Sequence, residues 1–126
     1  MNLVISGVFS PIKSDQEEKA KLILDREFKK AGVKYNINLS HKFAQLGLLE
    51  RESATVLNTS LLEMADRHIN SFYRALHKLQ LSHAAIFLTQ NDGTLITAEQ
   101  AKIFPVLTFS SGATNSLRGA SKLVSL

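Results

Sequence analysis

The chain has 126 residues, 44% of them hydrophobic, with 15 lysines and arginines against 11 acidic residues and a formal charge of +4. Such a composition supplies a core for a single domain over 1–126. Its basic residues are scattered, with no basic stripe and no stacking platform, which argues against nucleic acid as a partner. The lack of cysteine excludes disulfides, a thiol nucleophile and a thiolate metal site and fits a cytoplasmic protein. No apolar run approaches the ~18 to 20 residues of a membrane span, so no membrane partner is expected.

Residues 3 to 9 alternate loosely around Val4, Ile5, Val8 and Phe9 and stop at Ser10-Pro11, which predicts a first strand. Ser14 with Glu17 fits a capping box, and Ala20, Ile23, Leu24, Phe28 and Ala31 make one apolar stripe of a helix that Gly32 ends. Residues 34 to 39 then alternate with period two: Tyr35, Ile37 and Leu39 share one face, and Lys34, Asn36 and Asn38 share the wet one. Gly47 interrupts the next stretch, 40 to 52, which reads as a turn and a short helix. From Ser53 to Leu79 apolar residues recur every three or four positions. Unbroken, that helix would run about 40 Å at ~1.5 Å per residue, so a break is expected near His68 and Asn70.

The last third reads as a strand over 84 to 89, a polar turn, a short helix capped by Thr97 with Gln100, a strand over 106 to 109, and a second polar turn. A final helix follows, expected to carry Leu117, Ala120, Leu123 and Val124 inward. The series β-α-β-α-α-β-α-β-α predicts an α/β fold whose sheet is mainly parallel with crossover helices. Chain ends inside an apolar segment and inside a helix suggest a piece of a longer protein.

In an open α/β sheet, ligands collect outside the carboxyl ends of the strands, and both polar turns fall there. Gln90, Asn91, Asp92 and Gly93 on the first turn are candidates for contact with a ligand, Asp92 also for catalysis. Asn-Asp-Gly is equally a plain turn signal. Ser111, Gly112, Thr114 and Asn115 on the second turn resemble an anion cradle at a helix start, and helix capping explains most of that pattern too. Parallel, adjacent strands would set Asp92 and Ser111 at one edge of the sheet. His41 follows a strand end and is the other catalytic candidate. His41, His68, His77 and His83 show no persuasive ligand spacing, so no metal is assigned to this segment. Glu50-Arg51-Glu52 reads as a solvated charge cluster before an acid/base pair.

Gly7-Val8-Phe9-Ser10-Pro11, Leu39-Ser40-His41, Gly47-Leu48-Leu49-Glu50-Arg51-Glu52-Ser53-Ala54-Thr55-Val56-Leu57-Asn58, Leu88-Thr89-Gln90-Asn91-Asp92-Gly93-Thr94 and the run Phe104 to Ala120 resemble, in this order, the hydantoinase/oxoprolinase family and its ATP-dependent N-methylhydantoinase branch. One departure is Ala113, where the family pattern usually has proline after serine-glycine. The resemblance implies an actin-like ATPase lobe and a parent enzyme that uses ATP and a divalent metal to open a cyclic amide such as hydantoin or oxoproline. Its phosphate turns, with aspartate, any residue, two glycines and threonine, do not occur here, so the segment alone is expected to be inactive and without a cofactor. By the same resemblance, Arg118 and Gly119 serve lobe closure. The implied partners are the remaining domains of the parent chain and a second hydantoinase subunit. An uncovered apolar side of the last helix, with Leu117, Leu123, Val124 and Leu126, would favour a weak homodimer. A non-catalytic interaction domain with the same fold is the alternative.

Overall fold

A computed structural model describes residues 1–43 and 47–124; positions 44–46 of the predicted turn and Leu126 of the predicted apolar side lie outside them. In chain order the elements are β1 (Asn2–Ile5), α1 (Asp15–Lys30), β2 (Asn36–Leu39), a 3-10 turn at Ser40–Phe43, α2 (Leu48–Lys78), β3 (Phe87–Thr89), β4 (Leu95–Thr97), α3 (Ala98–Ile103), a second 3-10 turn at Pro105–Leu107, and α4 (Ser111–Val124). Two compact units divide the chain, Met1–Ser60 and Leu61–Leu126, with the division falling inside α2.

In the first unit β1 and β2 pair in parallel, Asn2 opposite Asn36 and Ile5 opposite Leu39, with α1 as the connection between them. The Phe28 and Tyr35 rings lie 5.0 Å apart and the Tyr35 hydroxyl donates to the Asp25 carbonyl, fixing α1 against the start of β2. Gly32, at φ +65°, ends α1 as predicted: its N–H reaches the Lys29 carbonyl and that of Val33 the Phe28 carbonyl, which satisfies two otherwise orphaned acceptors. The interior of this unit is largely polar. Leu39 is buried, and so are Ser10, Glu17, Ser40, Arg51, Thr55, Asn58 and Thr59.

In the second unit β3 and β4 form an antiparallel hairpin, Phe87 opposite Thr97 and Thr89 opposite Leu95. Ile69, Ile96, Ala98 and Ala101 form its small apolar core, with Ile86 and Leu88 packed against them. Thr97 caps α3 as predicted, its side chain accepting from the Gln100 N–H.

These elements overturn the mainly parallel sheet with crossover helices, and with it the actin-like lobe. Among the described residues the chain is mostly helical, and the strands make two separate sheets of two strands each. The physical reasons are local. Asn91-Asp92-Gly93 folds the chain straight back: Gln90 N–H reaches the Thr94 carbonyl, and Gly93 takes φ +84°, so Leu95–Thr97 returns as a strand instead of leading into a crossover helix. Pro105 starts a 3-10 turn in which Leu107, Thr108 and Phe109 donate to the carbonyls three residues back, which spends the donors that a strand at 106–109 would need.

Smaller expectations change as well. The first strand stops at Ile5, because the Gly7 N–H turns to Glu17 and the Ser10 N–H to the Gly7 carbonyl. The predicted break near His68 does not occur: Asn70 bonds the Asp66 side chain one turn back, leaving the backbone ladder to itself, and Ile69 is buried. On α4 no residue is buried, and Leu117, Leu123 and Val124 are exposed rather than inward.

Candidate functional site

Glu17 lies on the face of α1 that carries Ala20, Leu24 and Phe28, since those spacings return to one side of a helix. That face is turned to β2, so its carboxylate is buried at the end of the strand pair. Oε1 accepts from the Gly7 N–H at 2.8 Å and from Ser40 Oγ at 2.5 Å; Oε2 accepts from the His41 N–H at 3.1 Å and meets His41 Nδ1 at 2.8 Å. An ionised carboxylate only accepts, so the proton of that last bond belongs on Nδ1. Burial by itself pushes the Glu17 carboxyl up. The hydrogen bonds from Ser40, the His41 and Gly7 N–H groups and the His41 ring outweigh it and hold the carboxyl at about 2.

Arg51, fully buried, closes the cluster from α2. Its Nε donates to Ser40 Oγ at 2.9 Å and a terminal nitrogen donates to the Gly7 carbonyl at 2.5 Å. Ser40 thus passes a hydrogen bond from Arg51 on to Glu17, and the Gly7 peptide is held from both sides, N–H by Glu17 and C=O by Arg51. The turn that follows displays Val8, Phe9 and Ile12 to solvent. His41 Nε2 faces the rim of the cluster, 3.4 Å from Glu18 Oε1, and the imidazole is 17% exposed.

The reading of Glu50-Arg51-Glu52 as a solvated cluster is correct for the two glutamates and not for Arg51. The capping-box reading of Glu17 also fails: Ser14 makes no side-chain cap bond, and Glu17 points into the cluster. Two signals could have found them. Glu17 is an acid on the apolar stripe of α1, and Arg51, Thr55, Asn58 and Thr59 recur at helical spacing as a polar stripe of α2, all buried.

The two polar turns do meet in the second unit, though not through neighbouring parallel strands. Thr114 Oγ1 donates to the Asn91 carbonyl at 2.7 Å, Asn115 Nδ2 to Thr89 Oγ1 at 2.6 Å, and Arg118 to the Gly93 carbonyl at 2.9 Å. Arg118 therefore binds the first turn. Asp92 Oδ1 takes both the N–H and the hydroxyl of Thr94, and these bonds, the backbone one foremost, lower its carboxyl below the ordinary range. Gln90 Nε2 bonds Thr94 Oγ1, and Asn91 bonds the Leu107 and Val106 carbonyls. Ser111 N–H closes a turn on the Thr108 carbonyl, and a Cβ on Gly112 would meet open space, so no close backbone approach is built there. Gln90 and Asp92 thus bond within the hairpin, while Asn91, Thr114 and Asn115 tie the hairpin to the segments that follow it.

A mainly apolar pocket of about 250 Å³ lies in the second unit between α2 and Pro105–Ser110, with Met64, His68, Phe72 and Phe109 in its wall. None of the sequence-predicted site residues lines it. Among the described residues no group of three His, Asp or Glu side chains gathers as metal ligands, and no helix is long and apolar enough to cross a membrane. Compared with protein-family models, curated proteins and solved structures, the chain matches none.

Proposed function

We propose that the chain is a segment of an ATP-dependent cyclic-amide hydrolase of the hydantoinase/oxoprolinase type, acting on a hydantoin or oxoproline ring and inactive by itself. The supporting observation is convergence. Gly7, Ser40, His41 and Arg51 come from three of the stretches that carry the sequence resemblance and are far apart in the chain; the first three meet at the single carboxylate of Glu17, and Arg51 bonds two of them, Ser40 and Gly7. The stretches at Thr89–Gly93 and Thr114–Arg118 meet likewise. ATP and a divalent metal would be held by the remaining domains of the parent chain, with a second subunit as further partner and a cytoplasmic location.

A non-catalytic interaction domain is the second reading, favoured by the exposure of Leu117, Leu123 and Val124 on a helix with no buried residue. The deciding experiment assays the whole gene product and the 126-residue chain side by side on 5-oxoproline and a set of hydantoins with ATP and magnesium or manganese. Ring opening in step with ADP release is expected of the whole product only, and the chain alone should not bind ATP in the micromolar range by calorimetry. A whole product that opens none of these rings overturns the hydrolase reading.

A further inference from the structure

We propose that His41 is a catalytic residue for proton transfer at a carbonyl, working through Nε2, with Glu17 as its positioning residue. The ring-opening role rests on the cyclic-amide reading above; the side-chain chemistry does not. Glu17 Oε2 lies 2.8 Å from Nδ1 and can only accept, so the neutral imidazole carries its proton on Nδ1 and its lone pair on Nε2, on the side of Glu18. Glu17 is 1% exposed and held by three further donors, Gly7 N–H, Ser40 Oγ and His41 N–H, so the ring it orients has a fixed direction.

Holding the carboxylate accounts for the Nδ1 side of the imidazole and not for its Nε2 side. The clamp on Gly7 is already closed by Glu17 and Arg51, and the His41 main chain already supplies a hydrogen bond to the carboxylate. What the ring adds is one more bond to the carboxylate and, on its other side, a nitrogen at the rim. The charged groups around it are Glu17 and Glu18 from α1, with Arg51 from α2 reaching Ser40 beside it. Glu18 Oε1, 3.4 Å from Nε2 and half-exposed, is placed to hold the imidazolium when it forms.

In ring opening, Nε2 takes a proton from water as the water oxygen bonds to the carbonyl carbon and the carbonyl π pair moves to its oxygen. When that pair returns, the carbon–nitrogen bond breaks, and Nε2–H gives the proton to the departing ring nitrogen. For the amide the sum is one water added across one bond, with the histidine restored; the coupled ATP turnover falls to the remaining domains to which the reading above gives the nucleotide.

The test begins with the 126-residue chain. Long-range proton–nitrogen NMR should place the neutral His41 in the Nδ1–H form. Diethyl pyrocarbonate should modify His41 at least as fast as His68, His77 and His83, although His41 is only 17% exposed and the other three are exposed. Glu17→Gln should slow His41 alone; should that variant fail to fold, the wild-type tautomer and rate still decide. An Nε2–H tautomer, or modification slower than at the exposed histidines, overturns the proposal. In the whole gene product His41→Gln should cost about 100-fold or more in kcat with KM little changed, and an unchanged kcat also overturns it. If the whole product opens no ring while His41 shows the stated tautomer and rate, the hydrolase reading alone has failed.

Discussion

Replacing Glu17 by glutamine tests whether the buried carboxylate organises the first unit. Its carboxyl falls from an ordinary 4.5 to about 2. At ~1.4 kcal/mol per pH unit, the difference corresponds to roughly 3 kcal/mol, and a side chain 1% exposed loses little of it to screening. The folded value is the lower one. The stabilisation is therefore complete above pH 4.5 and lost as the pH falls through about 2. Glutamine keeps the shape, but its NH2 cannot accept from the donors that now face the carboxylate, so a loss of the same order is expected near neutral pH. Urea unfolding followed by Tyr35 fluorescence in a Tyr73→Phe background reads this unit without the other tyrosine. Wild type should lose about 3 kcal/mol on acidification across that window, with Glu17→Gln losing correspondingly less. Equal neutral stability, or equal acid slopes in the two proteins, would refute the reasoning.

Arg51→Met should destabilise the first unit by about 3 to 5 kcal/mol in the same urea assay, because Ser40 Oγ and the Gly7 carbonyl lose a buried charged donor, and Arg51→Lys should recover little of it for want of the fork. Gly93→Ala places a Cβ 2.6 Å from Arg118 Nε at φ +84°; a loss of about 1 to 2 kcal/mol and faster amide exchange at Gln90 are expected, and Arg118→Ala added to it should relieve only the steric part. Thr97→Ala should cost about 1 kcal/mol and speed exchange of the Gln100 N–H. In sedimentation over a concentration series the chain should associate weakly, and Leu117→Lys with Leu123→Lys should abolish this; a monomer at every concentration would contradict it.

How far the sequence could be read depended on whether a local signal acted alone. Gly32 ended α1 because one left-handed residue suffices, and Thr97 capped α3 because the bond it makes is three residues away. The strand expected at 106–109 had apolar content but no memory of its partner; Pro105, directly before it, supplied a local alternative, and local bonds won. At Asn91-Asp92-Gly93 the plain turn reading proved the informative one. It is a hairpin signal, and taking it as a strand-to-helix junction removed β4 from the expected fold and produced the crossover topology in its place.

The site was partly legible for a different reason. His41 could be named because it follows a strand end, but its partner could not, since Glu17 also satisfies a capping pattern with Ser14 that accounts for it at sequence range. Arg51 was hidden by its exposed neighbours Glu50 and Glu52, which made a charged triplet look uniformly solvated. Periodicity searches seek apolar stripes, and the face that α2 buries in the first unit is Arg51, Thr55, Asn58 and Thr59, whereas Leu49, Val56 and Leu57 on the same helix remain exposed. A helix that hides its polar side and shows its apolar one gains little from burying apolar area. Its hold on Gly7 and Ser40 must then come from the hydrogen bonds that Arg51 makes to both, which is why removing that one side chain should cost more than any single bond is worth.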